Sequence, residues 1–291
     1  MEYQKPDYSM SFDDDQGQVV STGATPSADS LNELTKKVLS SLNPAPVIDD
    51  VPDTWVRLPA GLVADDTVYT EAEVQELTGE HEELLAKART SNNPAKYVNT
   101  LLQCGVVAIG GKPVNNNTLN SLLQGDLDML ILGIRRATFG DEFELFDVQC
   151  PNCGETNDLK LDLKDIPVKE LEDREERQFE VPLRKGRVAV VQFPDGSVQN
   201  DIFKKPLSVP EMNSITLASC VISIREANGS EKFSAGLSDV KKLGLADRNT
   251  LQNFIYESQP GPRYDQVTAQ CHACEGEVPV PLNVGILFRD L

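Results

Sequence analysis

The sequence predicts an α+β protein: a helical N-terminal subdomain, followed by a two-hairpin zinc ribbon that is interrupted by a mixed α/β insertion. Three observations predict this architecture. Two Cys-x-x-Cys motifs lie in similar flanking sequences, apolar residues recur at helical spacing before the first motif, and both strand-like and helical patterns occur between the motifs.

The two cysteine motifs are the strongest signal in the chain. Cys150 and Cys153 form the first motif and Cys271 and Cys274 the second, with 117 residues between them. When the two segments are overlaid, a glutamine before the motif and a leucine after it also coincide. A strand, a two-cysteine turn and a strand, repeated twice, describe two hairpins with four thiolates. A tetrahedral zinc requires four ligands, and these four cysteines are the predicted ones.

The separation of the motifs is unusual, because paired motifs in zinc sites are ordinarily ~15–20 residues apart. It predicts a ribbon closed across a long insertion. The alternatives are two unpaired thiol turns, two disulfides in a secreted protein, or a redox dithiol. The first residues lack the apolar run of a signal peptide, which favours a reducing compartment, and neither motif has the βαβ setting of a redox dithiol. We expect a structural zinc with no coordination position open to substrate.

Composition and the absence of catalytic motifs further limit the classes of function that the sequence supports. The chain has 291 residues, 40% of them hydrophobic, and no apolar run of membrane-spanning length, so no membrane partner is expected. Its net charge of −19 repels phosphate backbones and argues against nucleic acid, although solubility alone also explains such a charge. No P-loop, nucleophile elbow or zinc-protease motif occurs. The sequence therefore predicts a non-enzymatic protein without a small-molecule substrate.

The remaining histidines and cysteines have simpler interpretations. His272 lies inside the second motif and could compete as a ligand, but a fourth thiolate is already present. His81 lies in a Glu-rich helical stretch and is expected on the surface. Cys104 and Cys220 lie among apolar residues, which predicts core thiols and not ligands.

Composition and patterning also predict the domain boundaries. Residues 1–50 are expected to be a disordered acidic arm, with a short helix at residues 30–42 that would dock a partner or fold back on its own domain. The other predicted segments are a mainly helical subdomain at 51–145, ribbon hairpins at 146–163 and 264–291, and a mixed insertion at 164–263.

Local signals place several elements within these segments. Thr70 begins a capping-box pattern that predicts the start of a helix. A strongly apolar helix is expected to open at Gly125 and to close before Gly140, and a second capping box begins at Ser208. The apolar run at residues 215–224 is rich in β-branched residues, so its pattern fits either a helix or a strand.

Three stretches of the sequence resemble a known protein family. They are residues 77–86, residues 125–142 with the helix end at Arg135 and Arg136, and the cysteine turn at residues 150–154. Together they resemble the baseplate hub assembly family of contractile-tailed bacteriophages and related injection systems. The resemblance covers residues 54–291 and excludes the N-terminal 50 residues.

The resemblance implies a structural component or assembly factor (chaperone) of a phage-type tail baseplate hub. Its partners would be other baseplate or tail hub proteins, and it would be found in the virion tail baseplate or in the host cytoplasm during assembly. Two other classes stay open. One is a zinc-ribbon module that acts on nucleic acid or in a transcription or RNA-processing complex. The other is a metalloenzyme or redox protein that uses one cysteine motif.

Overall fold

A computed structural model describes residues 54–91, 93–202, 207–233, 236–289 and 291. The predicted arm at residues 1–50 and its helix at 30–42 lie outside these ranges. Within them the chain is a mixed α+β protein with small antiparallel sheets. The helices are α1 (Gly79–Arg89), α2 (Pro94–Gly105), α3 (Asn116–Ser121), α4 (Gln124–Phe139), α5 (Ser197–Ile202), α6 (Val209–Cys220), α7 (Leu237–Lys242), α8 (Leu245–Ser258) and α9 (Val284–Leu287). None of them combines the length and apolar character that crossing a bilayer requires.

The strands form five small sheets among the described residues. Residues 55–169 contribute β1 (Trp55–Ala64), β2 (Thr67–Val74), β3 (Val106–Ile109), β4 (Lys112–Pro113), β5 (Glu142–Gln149), β6 (Thr156–Asp162) and β7 (Val168–Lys169). Residues 179–279 contribute β8 (Phe179–Pro182), β9 (Val188–Val191), β10 (Val221–Arg225), β11 (Glu231–Phe233), β12 (Gly261–Pro262), β13 (Thr268–Gln270) and β14 (Glu277–Pro279).

The first sheet has the strand order β1-β2-β3-β4, and it corrects the predicted helix start at Thr70. Thr70 lies in the middle of β2, which pairs with β1 on one side and β3 on the other and thereby buries Ala72 and Val74. The helix instead begins after Thr78, where Thr78 and His81 form a capping box. The described part of the 51–145 segment therefore contains a four-stranded sheet as well as four helices and is not a helical unit alone. Side chains alternate between the two faces of each strand, so the apolar positions of the paired strands can be buried on one face of the sheet.

Helix α4 is buried as predicted and lies against the first sheet. It ends before Gly140, whose φ of 84° is one that glycine adopts without strain. At its other end Gly125 touches β12 so closely that a Cβ there would lie 1.7 Å from the carbonyl oxygen of Pro260. The main hydrophobic cluster surrounds this helix and extends to the cysteine hairpins and the C-terminal residues.

The residues between the hairpins build a second sheet of order β11-β10-β9-β8, with its own apolar cluster formed together with α6, α7 and α8. The capping box at Ser208 is confirmed and pairs with Glu211. The undecided run at residues 215–224 divides in two: α6 continues to Cys220, and Val221 turns into the extended backbone of β10. The domain boundaries themselves stay a prediction.

A buried carboxylate connects α4 to an irregular part of β1. The register of β1 shifts between Arg57 and Leu62, and Asp126 Oδ1 accepts hydrogen bonds there from the backbone N–H groups of Ala60 (2.9 Å) and Gly61 (3.3 Å). Burial raises the pKa of Asp126, although these N–H groups and two nearby arginines lower it. The side chain thus satisfies two buried donors that the β1–β2 ladder leaves without a strand partner.

We expect Asp126→Ala to lower the free energy of unfolding by about 2–3 kcal/mol, because two buried N–H groups lose their acceptor. Asp126→Asn keeps one acceptor oxygen and should cost less than half as much. Urea denaturation at neutral pH measures both values, with Glu172→Ala as a control at an exposed acid. Equal stability of Asp126→Ala and the unmodified chain would show that the carboxylate does not support the β1 irregularity.

Candidate metal centre

The two cysteine motifs each connect the strands of a hairpin. In the first hairpin β5 pairs with β6, and Gln149 lies opposite Thr156 at the turn. In the second, β13 pairs with β14, and Gln270 lies opposite Glu277. The predicted strand, cysteine turn and strand therefore occur twice. The sharp turns are what allow both cysteines of each motif to point to the same side.

The two turns share their backbone hydrogen bonds position by position. The N–H of Cys150 donates to the carbonyl of Glu155 (2.8 Å), and the N–H of Cys271 donates to that of Gly276 (2.9 Å). The residue after each second cysteine has a positive φ, 77° at Gly154 and 57° at Glu275. A glutamate in this left-handed region costs about 1–2 kcal/mol relative to ordinary backbone, so the second turn keeps the shape of the first against a local penalty.

The turns bring the four predicted cysteines together across the hairpins. Cys150 Sγ lies 3.7 Å from Cys274 Sγ, and Cys153 Sγ lies 3.7 Å from Cys271 Sγ. All four sulfur atoms lie within 4.8 Å of one another. Each close pair joins the first cysteine of one motif to the last of the other, so the cluster has an approximate twofold arrangement. These separations are too long for a disulfide, whose S–S bond is about 2.05 Å.

The sulfur geometry can be compared with that of a tetrahedral thiolate site. Ligands ~2.3 Å from a central zinc would lie about 3.8 Å from one another, close to the two short separations. Cys150 and Cys271 are buried, whereas Cys153 and Cys274 are exposed residues at the rim of the cluster. The donor set and its spacing fit a metal that prefers sulfur, such as zinc.

The thiols also differ in how readily they lose a proton. The backbone N–H groups of Ala273 and Cys274 lower the pKa of Cys271 to about 6, because they donate to its thiolate. The N–H of Glu155 acts in the same sense on Cys153, but the hydrogen bonds that the Cys153 thiol donates to the neighbouring sulfurs, together with desolvation, raise its pKa to about 12. Four thiolates cannot all be charged at this spacing without a cation, because like charges disfavour ionisation.

Asn157 connects the two hairpins directly. It lies in β6, is only 2% exposed, and donates through Nδ2 to the carbonyls of Glu155 (3.0 Å) and Val148 (3.4 Å) of its own hairpin. Its Oδ1 accepts from the backbone N–H of His272 in the opposite turn (3.0 Å). One buried amide therefore fixes the position of one turn relative to the other. Sequence reasoning missed it, because a single asparagine in a strand carries no distinguishing pattern.

The other singled-out residues lie outside the cluster. His272 Nδ1 lies 2.9 Å from Asn157 Oδ1 and is not among the grouped ligand atoms. Cys220 is buried in the second apolar cluster and Cys104 is buried in α2, and burial raises the pKa of both, that of Cys220 to about 11. They are core thiols, as predicted. His81 has a role that was not predicted, since its Nδ1 accepts from the N–H of Thr78 at the start of α1.

Comparison with known proteins identifies the family. The family described as T4 bacteriophage base plate protein matches residues 65–277, almost three quarters of the chain, and the match includes all four clustered cysteines. The chain therefore belongs to this family, and the resemblance to phage baseplate proteins is confirmed. No curated protein and no solved structure matches the chain.

We expect Asn157→Ala to lower the free energy of unfolding by about 2 kcal/mol, because one buried acceptor and two donors are lost at once. Asn157→Asp keeps the acceptor for His272 but cannot donate to the two carbonyls, so its cost should arise mainly within the first hairpin. Hydrogen exchange at the His272 amide distinguishes them, since only the alanine variant should exchange faster. Thr156→Ala, at an exposed position of the same strand, is the matched control. Unchanged exchange in Asn157→Ala would exclude the bridge.

Proposed function

We propose that Cys150, Cys153, Cys271 and Cys274 bind one structural zinc and that the two hairpins form a zinc ribbon around it. The observation that carries this proposal is the pair of 3.7 Å Sγ–Sγ separations across the hairpins. A four-thiolate site is closed, so the metal would stabilise the fold and offer no position to a substrate. It would tie residues 150 and 274 together, which are 124 positions apart.

We further propose that the protein is a non-enzymatic structural component or assembly factor of a tail baseplate hub. Membership of the baseplate family supports a structural role in the virion tail, with other baseplate proteins as partners. The hub assignment and an assembly (chaperone) role go beyond that membership and rest on the resemblance of residues 77–86, 125–142 and 150–154. In the described part of the chain, polar side chains cap helices at Thr78 and Ser208 and connect the two hairpins at Asn157. These roles stabilise the fold and favour a structural protein over an enzyme.

The nucleic-acid alternative receives no support from the hairpins. Residues 137–159 and 264–288, which include both cysteine turns, contain no lysine or arginine. A zinc bound by four thiolates would add two further negative charges. Such a surface repels phosphates, whereas nucleic-acid modules present a basic face.

Elemental analysis of the purified chain should find one zinc per molecule. Cys153→Ser and Cys274→Ser each remove a ligand at the rim and should lose most of the metal, whereas Cys104→Ala should retain it because that thiol lies outside the cluster. Chelation should then raise hydrogen exchange in both hairpins more than in the first sheet. A chain without zinc, or full zinc content in both serine variants, would refute the metal proposal.

In infected cells, the same serine substitutions should produce particles that stall before tail-tube growth, because the distorted chain cannot join its partners. The matched control is again Cys104→Ala, which should give normal infectious particles. Detection of the protein in purified assembly intermediates shows whether it reaches the baseplate at all. Normal particles from both serine variants would contradict the proposed role of the metal-bound fold in the hub.

A further inference from the structure

Arginine and phenylalanine side chains alternate along the edge of the first hairpin. The Arg135 guanidinium lies 4.5 Å from the ring centre of Phe139 and 5.3 Å from that of Phe143. Arg289 lies 5.7 Å from the ring centre of Phe143 and 5.8 Å from that of Phe146. Five planar groups from α4, β5 and the C-terminal residues thus follow one another, and we call them the Arg–Phe ladder. In such contacts the face of the ring attracts the guanidinium charge, more strongly where water is excluded.

The ladder is buried at its centre and exposed at its ends. Phe143 is 2% exposed, whereas Phe139 is 45% and Phe146 is 56% exposed. Phe146 therefore contacts an arginine of its own chain while more than half of the residue faces solvent. An aromatic ring that already attracts one guanidinium has the chemistry to attract another.

Strand alternation places Phe146 on the exposed side of β5, since its neighbour Leu145 is buried. The register of β5 against β6 shifts between Leu145 and Val148, so that two residues stand outside the regular alternation. Asp147 adopts a φ of 59°, and its N–H donates to Asp158 Oδ1 (3.2 Å). The bulge interrupts the alternation after Phe146, so that Asp147 is exposed next to it.

The first hairpin is acidic, although Asp141 at its start is already paired with Arg136 and Lys164 (2.6 Å each) and Arg289 lies over the Phe146 ring. From residue 137 to residue 159 the chain has six acidic residues and no lysine or arginine: Asp141, Glu142, Glu144, Asp147, Glu155 and Asp158. Lys160 on the neighbouring strand already forms ion pairs with Glu142 (2.8 Å) and Glu144 (3.7 Å). An exposed ring in an acidic surround is complementary to an arginine side chain, which carries a delocalised charge on a planar, weakly hydrated group.

We propose that the face of the first hairpin around Phe146 is a docking surface for an arginine-bearing, basic segment of a partner protein. The proposal deepens the structural role proposed above, because it states the chemistry by which this chain recognises its neighbour. Arginine is favoured over lysine because only arginine can stack on Phe146 while it pairs with carboxylates. A second copy of the chain is disfavoured as the occupant, because copies of net charge −19 repel each other.

Fluorescence anisotropy with the full chain tests this surface. The probes are a labelled 12-residue peptide of alternating arginine and glycine and its lysine counterpart of equal charge. The unmodified chain should bind the arginine peptide about threefold to fivefold more tightly than the lysine peptide. Phe146→Ala should abolish this preference and leave lysine-peptide binding unchanged. Leu245→Ala removes an apolar residue that is 79% exposed on α8 and should change neither affinity.

A charge variant separates the contribution of the Phe146 ring to binding from that of the surrounding acidic residues. Glu142→Gln with Glu144→Gln should weaken both peptides, whereas Glu172→Gln with Glu175→Gln, at exposed acids outside the hairpin, should have a smaller effect. Equal binding of the two peptides to the unmodified chain, or an unchanged preference in Phe146→Ala, would overturn the proposal. So would a concentration-dependent dimer in sedimentation that Phe146→Ala abolishes, since the surface would then be a self-contact. These outcomes leave the zinc content and the baseplate role untouched.

Discussion

The contact between the two cysteine turns is the constraint on which the rest of the structure depends. It places the sulfur atoms of Cys150 and Cys274 3.7 Å apart. The insertion between the hairpins must therefore begin and end close to this contact. The two ends of the insertion are also brought together by the pairing of β7 with β12, in which Lys169 lies opposite Gly261. Because Gly261 also lies against Gly125 of α4, the insertion, the hairpins and the central helix share one junction.

Neither hairpin has enough buried surface to fold alone, since isolated two-stranded hairpins are marginal at best in water. Both are stabilised from outside. Cys150, Cys271 and Val278 belong to the main apolar cluster around α4, and Asn157 connects the turns through its amide. A bound metal would add a cross-link where the apolar contacts are thinnest, because the outer cysteines of each turn are exposed. This distribution explains how a chain of weak local elements can keep a defined cysteine geometry.

The parts that sequence could predict are those with a repeating or local signal. The cysteine turns were predictable from their matching flanks, α4 from its apolar composition, and the helix after Ser208 from its capping box. Thr70 shows where such reasoning fails: its capping pattern is genuine in sequence, but strand pairing on both sides outweighs a local helix signal. The run at residues 215–224 was ambiguous because it is a helix that passes directly into a strand.

The parts that could not be predicted depend on contacts between distant residues. Asp126 reaches the irregular segment of β1 across more than sixty positions, and Asn157 reaches His272 across 115. The bulge that follows Phe146 requires a positive φ at Asp147, and the local sequence does not indicate it. Asp126 and Asn157 each bind a backbone group of another element. Their roles become visible only when the three-dimensional register is known.

The most direct test of the central claim is X-ray absorption at the zinc edge of the purified full-length chain. A zinc that joins the two hairpins should show four sulfur neighbours at ~2.3 Å and no nitrogen or oxygen in the first shell. A spectrum with histidine nitrogen, or with two sulfurs and solvent oxygens, would contradict the account. Two sulfurs with solvent oxygens would mean that one turn alone binds the metal, whereas a histidine nitrogen would mean that a histidine replaces one of the four cysteines.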